Sequence, residues 1–284
     1  MKKGLLNILL HFFSFTGYAN KRSKYLHKEN YEKTFTSCKE KAEQGDADAQ
    51  YNLAYMFDEG VGIKQDKQKA FYWYTKAAEQ GDPNAQYNLA YMYDEGDGIK
   101  QDYQKAYYWY TKAAEQGSPI AQHNLANLYD EGNGIKQDKQ KAFYWYTKAA
   151  EQGYLYAQYN LANMYYDKGN GTKQDKQKAF YWYTKAAEQG YADAQYILAF
   201  MYNNGDGIEQ DKQKAFYWYT KAAEQGYLYA QYNLANMYYD KGNGTKQDKQ
   251  KAFYWYTKAA EQGDVNAQYI LAFMYNNGDG IEQG

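Results

Sequence analysis

Cysteine, histidine, proline and serine are all scarce in this chain. Cys38 is the only cysteine among 284 residues. No disulfide framework and no thiolate metal site can therefore form within one chain. The three histidines, His11, His27 and His123, are scattered, and His123 occupies a position that is tyrosine elsewhere. Serine occurs only at Ser14, Ser23, Ser37 and Ser118, and none opens a Ser-x-x-Lys motif. The net charge of −1 removes any global electrostatic case for nucleic acid. Carboxylates are plentiful, but they recur as repeated surface features, so no acid–base pair stands out. No catalysis, cofactor or metal is expected.

What the chain has instead is one phrase, repeated. Lys69-Ala-Phe-Tyr-Trp-Tyr-Thr-Lys-Ala-Ala-Glu-Gln-Gly81 returns from Lys105, Lys141, Lys178, Lys214 and Lys251, with Tyr107 once replacing Phe. The six tryptophans, Trp73, Trp109, Trp145, Trp182, Trp218 and Trp255, stand 36, 36, 37, 36 and 37 residues apart. A fixed period of this length marks a solenoid of stacked supersecondary units. Tyrosine reaches 38 residues, more than such units can bury, so many rings must lie at the surface.

Each unit reads as a helix–turn–helix. In the second copy, Asp82 is an N-cap and Pro83 sits at the first helical position, where its missing N–H costs nothing. Ser118-Pro119 repeats the arrangement. Ala85, Leu89, Met92 and Tyr93 form one apolar face at helical spacing. Gly96 is suited to a left-handed helix end. Asp102 caps a second helix that runs to about Gln116, with Ala106, Trp109, Tyr110, Ala113 and Ala114 on its inner stripe, and Gly117 closes it. The turn from Asp94 to Asp102 has a superficial likeness to a calcium loop. Gly96 occupies the third ligand position and no Glu stands at the twelfth, so the turn is read as caps and punctuation. Neither helix buries its face alone, so the array is stable only as a stack, with Trp and Tyr rings filling the gaps between successive pairs.

The N-terminus has a different character. Met1-Lys2-Lys3 precedes a mostly apolar run, residues 4–17, and then Gly17-Tyr18-Ala19. This is the pattern of a secretory signal peptide, residues 1–19, with cleavage near Ala19 and a periplasmic or secreted mature chain. The run is too short to span a bilayer, and no integral membrane span is expected. Residues 20–45 form a basic leader and a degenerate capping helix. Within it, residues 28–43 align with a second helix, Ser37 and Cys38 standing for Trp and Tyr.

The pattern Ala-Gln-x-x-Leu-Ala-x-x-Tyr-x-x-Gly-x-Gly-x-x-x-Asp, followed by Lys-Ala-x-x-Trp-Tyr-x-Lys-Ala-Ala-Glu-Gln-Gly, closely resembles the Sel1-like repeat, a relative of the tetratricopeptide repeat. Ala85, Gln86, Leu89, Gly96, Gly98, Asp102, Ala106, Trp109, Ala113, Ala114 and Gly117 carry the match in one copy. It covers residues 46–284. The resemblance implies an all-α fold, a right-handed α/α superhelical solenoid serving as a scaffold for protein–protein contact. It also implies that bacterial members are often exported. Some secreted members have a disulfide in every repeat and are described as penicillin-binding; the single cysteine sets this chain apart from them, and a β-lactamase-like enzyme is disfavoured.

The Ala-Gln pair occurs at Ala49, Ala85, Ala121, Ala157, Ala194, Ala230 and Ala267, giving six full repeats and a seventh half-repeat. The 37-residue units gain one residue in the turns after Tyr165 and Tyr238. Residues 154–210 and 227–283 differ only at Tyr191/Asp264, Ala192/Val265 and Asp193/Asn266, the mark of a two-repeat duplication. The seventh first helix has no second helix after it, and self-association through this uncapped helix is an expectation.

Positions that vary between copies are candidates for function. One first-helix column reads Asp48, Asn84, Ile120, Tyr156, Asp193, Tyr229, Asn266. A second reads Asn52, Asn88, Asn124, Asn160, Ile197, Asn233, Ile270. A third reads Tyr55, Tyr91, Asn127, Asn163, Phe200, Asn236, Phe273. The columns stand three or four residues apart and share one helix face. In superhelices of the resembled kind the first helices line the concave side. The second and third columns, with Tyr156, are therefore read as a groove for a protein or extended peptide: rings supply area and amides supply hydrogen bonds. Cell-wall glycan or peptidoglycan is the alternative ligand. On the second helices, Tyr72, Tyr108, Tyr144, Tyr181, Tyr217 and Tyr254 form a further ladder, either outward-facing or half-buried between units; half-buried is the favoured reading.

Overall fold

Asp82 accepts the Ala85 N–H at 2.7 Å, and Pro83 follows it at the start of a helix. The bond satisfies one of the N–H groups that every helix start leaves without a partner. That helix, Pro83–Glu95, ends at Gly96, whose φ of 72° only glycine adopts freely. Asp102 then accepts from the Lys105 N–H and opens a second helix, Tyr103–Glu115. The computed structural model describes residues 33–168, 172–240 and 247–280, and this unit recurs throughout them.

In chain order the helices are α1 (33–43), α2 (Ala47–Glu59), α3 (Lys67–Glu79), α4 (Pro83–Glu95), α5 (Tyr103–Glu115), α6 (Pro119–Glu131) and α7 (Lys139–Glu151). They continue as α8 (Leu155–Tyr166), α9 (Lys176–Glu188), α10 (Ala192–Asn204), α11 (Lys212–Glu224), α12 (Leu228–Tyr239), α13 (Lys249–Glu261) and α14 (Val265–Asn277). The fold is all-helical, built of paired helix–turn–helix repeats as expected. The chain divides into two compact units, Met1–Gln116 and Gly117–Gly284. Within the first, α2 packs on α3, α3 on α4 and α4 on α5; within the second, each helix from α6 to α13 packs on the next. Among the described residues no helix is long and apolar enough to cross a membrane. The proposed signal peptide, and the leader up to residue 32, lie outside the described residues.

Small residues let the helices meet. Ala70, Ala77, Ala85 and Ala90 are fully buried, as are their counterparts at Ala179, Ala186, Ala194 and Ala199. Leu53, Leu198 and the Tyr74 and Tyr110 rings fill the space between them. The tryptophans are only partly buried, yet they tie successive clusters together as expected. Trp73 packs against both the Leu53 and the Leu89 clusters, and Trp218 against both the Leu198 and the Leu234 clusters.

Polar side chains also bond repeat to repeat. Buried Gln86 donates to the Ala78 carbonyl of the preceding helix and accepts from Gln116 Nε2 at 2.8 Å. The same pattern joins Gln158 to Ala150 and Gln189, and Gln231 to Ala223 and Gln262. In α1, the Ala42 carbonyl accepts from Gln50 in the corresponding way, and Phe35 meets Phe57 edge-on. Lys67 bridges Asp58 of its own repeat at 2.7 Å and Asp97 of the next at 2.6 Å. Burial alone would lower its pKa, but the two carboxylates outweigh burial and raise it. In the turn that resembles a calcium loop, Asp97 is thus committed to Lys67, Asp102 to Lys105, and Asp94 to the Tyr110 hydroxyl. Among the described residues no His, Cys, Asp or Glu cluster could hold a metal.

The 37-residue units end their first helices differently. α8 and α12 stop one residue early, at Tyr166 and Tyr239, and Asp167 and Asp240 are extended where glycine is left-handed in the other copies. The Tyr166 hydroxyl then donates to Asp206 of the next repeat, beside Lys176, and Tyr239 reaches Asp279 beside Lys249.

Candidate interaction surface

The three varying columns of the first helices have distinct surroundings. In the third, Tyr91, Phe200 and Phe273 are exposed, whereas Tyr55 is half-buried. Asn127, Asn163 and Asn236 are half-buried and already engaged. Each accepts the hydroxyl of the buried tyrosine on its own second helix: Tyr146 to Asn127 at 2.6 Å, Tyr183 to Asn163 at 2.5 Å, and Tyr256 to Asn236 at 2.5 Å. Where Tyr55 or Tyr91 stands in the column, the buried tyrosine turns to a carboxylate three residues on, Tyr74 to Asp58 and Tyr110 to Asp94. This column therefore varies together with the bond partner of a core residue.

The second column, Asn52, Asn88, Asn124, Asn160, Ile197, Asn233 and Ile270, is half-buried throughout. One of its amides reaches back one repeat: Asn160 Nδ2 lies 3.1 Å from His123 Nε2. Asn124 contacts the other nitrogen of His123, while Asn233 bonds the Tyr229 carbonyl within its own helix. Burial pushes the His123 pKa down, partly offset by its bond to Asn124. Tyr146, Tyr154 and Tyr156 surround its ring, so it serves as the aromatic member of a packed layer. Asn127, Asn160 and Asn163 line one open polar recess together with Asp130, Glu131 and Tyr146.

In the first column, Tyr156 and Tyr229 are exposed and Asp193 is half-buried. Half-buried Tyr154, Tyr191 and Tyr227 pack beside them, and none of the three varying columns contains these residues. The signal was present: the same position carries Asp46, Asp82, Ser118 and Asp264 in the other copies, residues that cap helices.

The second-helix ladder corrects an expectation. Tyr72, Tyr108, Tyr144, Tyr181, Tyr217 and Tyr254 are not half-buried between units; each is 52–53% exposed. The helix places them one residue before the tryptophan, about 100° around the axis from it. That rotation leaves the indole in the seam and carries the phenol outward. Each ring still meets its tryptophan edge-on, as Tyr72 does Trp73 at 4.9 Å, with Lys76 Nζ over the tyrosine at 5.9 Å. On α14, Val265, Tyr269, Phe273 and Tyr275 are exposed, while Ile270 is half-buried. Cys38 is buried, which raises its pKa and disfavours the reactive thiolate.

Comparison with known proteins agrees with this architecture. The Sel1 repeat family model matches residues 47–82, 83–118, 119–154, 155–191, 192–227, 228–264 and 265–283. A protective antigen of uropathogenic Escherichia coli strains, displaying an SLR fold, is 36% identical over 90% of this chain with a TM-score of 0.79. This chain spans 57% of the length of that one. A Sel1 repeat protein from Oxalobacter formigenes is 38% identical, covering 77% of this chain and 89% of its own, with a TM-score of 0.69. No curated protein shows significant similarity. With its repeats matched one after another from residue 47 to residue 283, the chain belongs to the Sel1 repeat family.

Proposed function

We propose that this chain is an exported, non-catalytic scaffold that holds a protein or extended peptide on the face of its first helices. The observation that carries the reading is a division of labour along each first helix. Positions that never vary, such as Ala194, Gln195, Leu198 and Ala199, are buried. Positions on the same helices that vary between copies present rings to solvent: Tyr91 is 43% exposed, Tyr156 46% and Tyr229 55%. Exposed aromatic area of this kind is characteristic of recognition surfaces, because a tyrosine supplies contact area at low entropic cost. Export rests on the N-terminal sequence pattern. The second reading, cell-wall glycan binding, is favoured by the exposed second-helix tyrosines, which offer a flat ring at each repeat.

Site-specific photo-crosslinking separates the two. A photoreactive residue is placed at Phe200 on α10 or at Tyr217 on α11 in the full chain expressed in its native cell. Protein adducts from position 200 and none from 217 support the scaffold. Adducts to cell-wall polymer alone, or protein adducts from 217 alone, overturn it. Recovery of the chain in the cytoplasm with Met1 uncleaved removes the export part of the reading.

A further inference from the structure

Three successive first helices of the second unit begin on a residue that cannot cap them. Tyr154, Tyr191 and Tyr227 stand at the N-cap positions of α8, α10 and α12 and make no side-chain cap bond. The first helices before and after them, α6 and α14, begin on Ser118 and Asp264, which accept from Ala121 and Ala267. The exchange gives up a helix-starting interaction three times over. What it provides is two groups of packed rings, one at Tyr191 and one at Tyr227. Tyr191 meets Tyr156 at 5.4 Å and Tyr159 at 5.1 Å, and Tyr227 meets Tyr196 at 5.1 Å.

One carboxylate sits beside both groups. Burial, and after it the charge of Asp193, raise the pKa of Tyr191 and of Tyr227, which sets this carboxylate beside a phenol of its own repeat and one of the next. Among the described residues no lysine or arginine forms an ion pair with it; in the last turn of the preceding helix, Lys185 pairs with Glu188. At the same register in the first unit, Asp48 stands near the N-cap carboxylate Asp82, where no tyrosine takes the capping position.

We propose that the cluster of Asp193, Tyr156, Tyr159, Tyr191 and Tyr227 is a binding site for a cationic side chain, arginine or lysine, of a peptide partner. This rests on the first-helix reading and names the chemistry that face selects. Ring faces attract a cation through their quadrupoles. The carboxylate adds a charge-assisted hydrogen bond, and a guanidinium can engage it with two parallel donors.

The test uses the full chain and fluorescein-labelled Gly/Ser decapeptides that carry one central arginine, or citrulline in its place, followed by fluorescence anisotropy. The arginine peptide is expected to bind about tenfold more tightly than the citrulline peptide, the size of a desolvated cation–aromatic contact. Asp193→Asn should erase that preference, and Asp48→Asn should leave it intact. Asn266 occupies the position equivalent to Asp193 in the seventh repeat, so Asp193→Asn is compatible with the fold, and an unchanged far-UV melt verifies it. Equal binding of arginine and citrulline peptides overturns the cation site while leaving the first-helix face standing. Equal loss in Asp48→Asn and Asp193→Asn also overturns it, since diffuse negative charge would then suffice. An arginine preference that depends on Asp193, alongside crosslinks from position 217 alone, keeps the site and removes the broader scaffold reading.

Discussion

The Tyr183 hydroxyl donates to Asn163 Oδ1 at 2.5 Å, joining a fully packed ring on α9 to a varying position on α8. Tyr183 is 2% exposed and Asn163 half-buried, so the bond satisfies a hydroxyl that the packed core surrounds on its other sides. Removing either partner leaves the other unsatisfied, at a cost of about 1–3 kcal/mol. Tyr183→Phe and Asn163→Ala should therefore each destabilise the chain in urea unfolding, and a double-mutant cycle should show coupling of about 1 kcal/mol. Additive effects would mean that Asn163 is available to a ligand instead.

Gln86→Ala should cost about 1–3 kcal/mol, because it removes two hydrogen bonds, the donor to the Ala78 carbonyl and one of the two acceptors of the Gln116 amide, which keeps the Gly81 carbonyl. The loss falls at a repeat boundary. Hydrogen exchange should accordingly quicken first in α3–α5, since a solenoid is stabilised by nearest-neighbour contacts. Uniform exchange along the chain would contradict this.

Glycines in the two kinds of turn should differ in tolerance. Gly117 has a φ of 93° and nothing within 4 Å of an added Cβ, so Gly117→Ala carries only the left-handed backbone penalty, about 1–2 kcal/mol. Gly98 has a φ of 71° as well, and an added Cβ overlaps the Cβ of Lys67, which Asp58 and Asp97 hold in place. Gly98→Ala should be the more destabilising of the two by thermal melting, and equal effects would show that the Lys67 bridge yields.

Stability should fall on mild acidification because of one residue. Burial holds the folded-state pKa of His123 below that of the unfolded chain, near 6.5. The unfolded state then binds more protons below that value, so stability is full above about pH 6.5 and declines as pH drops toward the folded pKa. The groups facing the ring are Tyr146, Tyr154, Tyr156, Asn124 and Asn160. His123→Tyr, the residue found at this position in other copies, should flatten the urea midpoint between about pH 7 and pH 5. A profile identical to that of the parent chain would assign the dependence elsewhere.

Local signals were legible wherever a structural role needs a particular residue type. Asp82, Asp102 and Gly96 announce helix ends because few side chains cap a helix start and few residues adopt a left-handed backbone. The burial of Ala85 and Leu89 follows from their spacing alone. The candidate surface was harder to read. Asn127 and Tyr91 share a column in sequence, yet one accepts a core hydroxyl and the other faces solvent. Period and propensity do not report which neighbour from another helix arrives at a given side chain.

The sequence by itself determined the repeat, its helix pairs, its caps and its family, because each follows from residue type at fixed spacing within about 36 residues of chain. Tertiary structure alone decided which rings remain outside. Adjacent residues such as Tyr72 and Trp73 differ by a rotation of about 100° on the helix, and only the position of the next helix determines which side of that rotation is covered. It also decided that Asp193 lies among tyrosines drawn from its own repeat and the one that follows. Such a meeting depends on how the repeats stack, which no single repeat encodes.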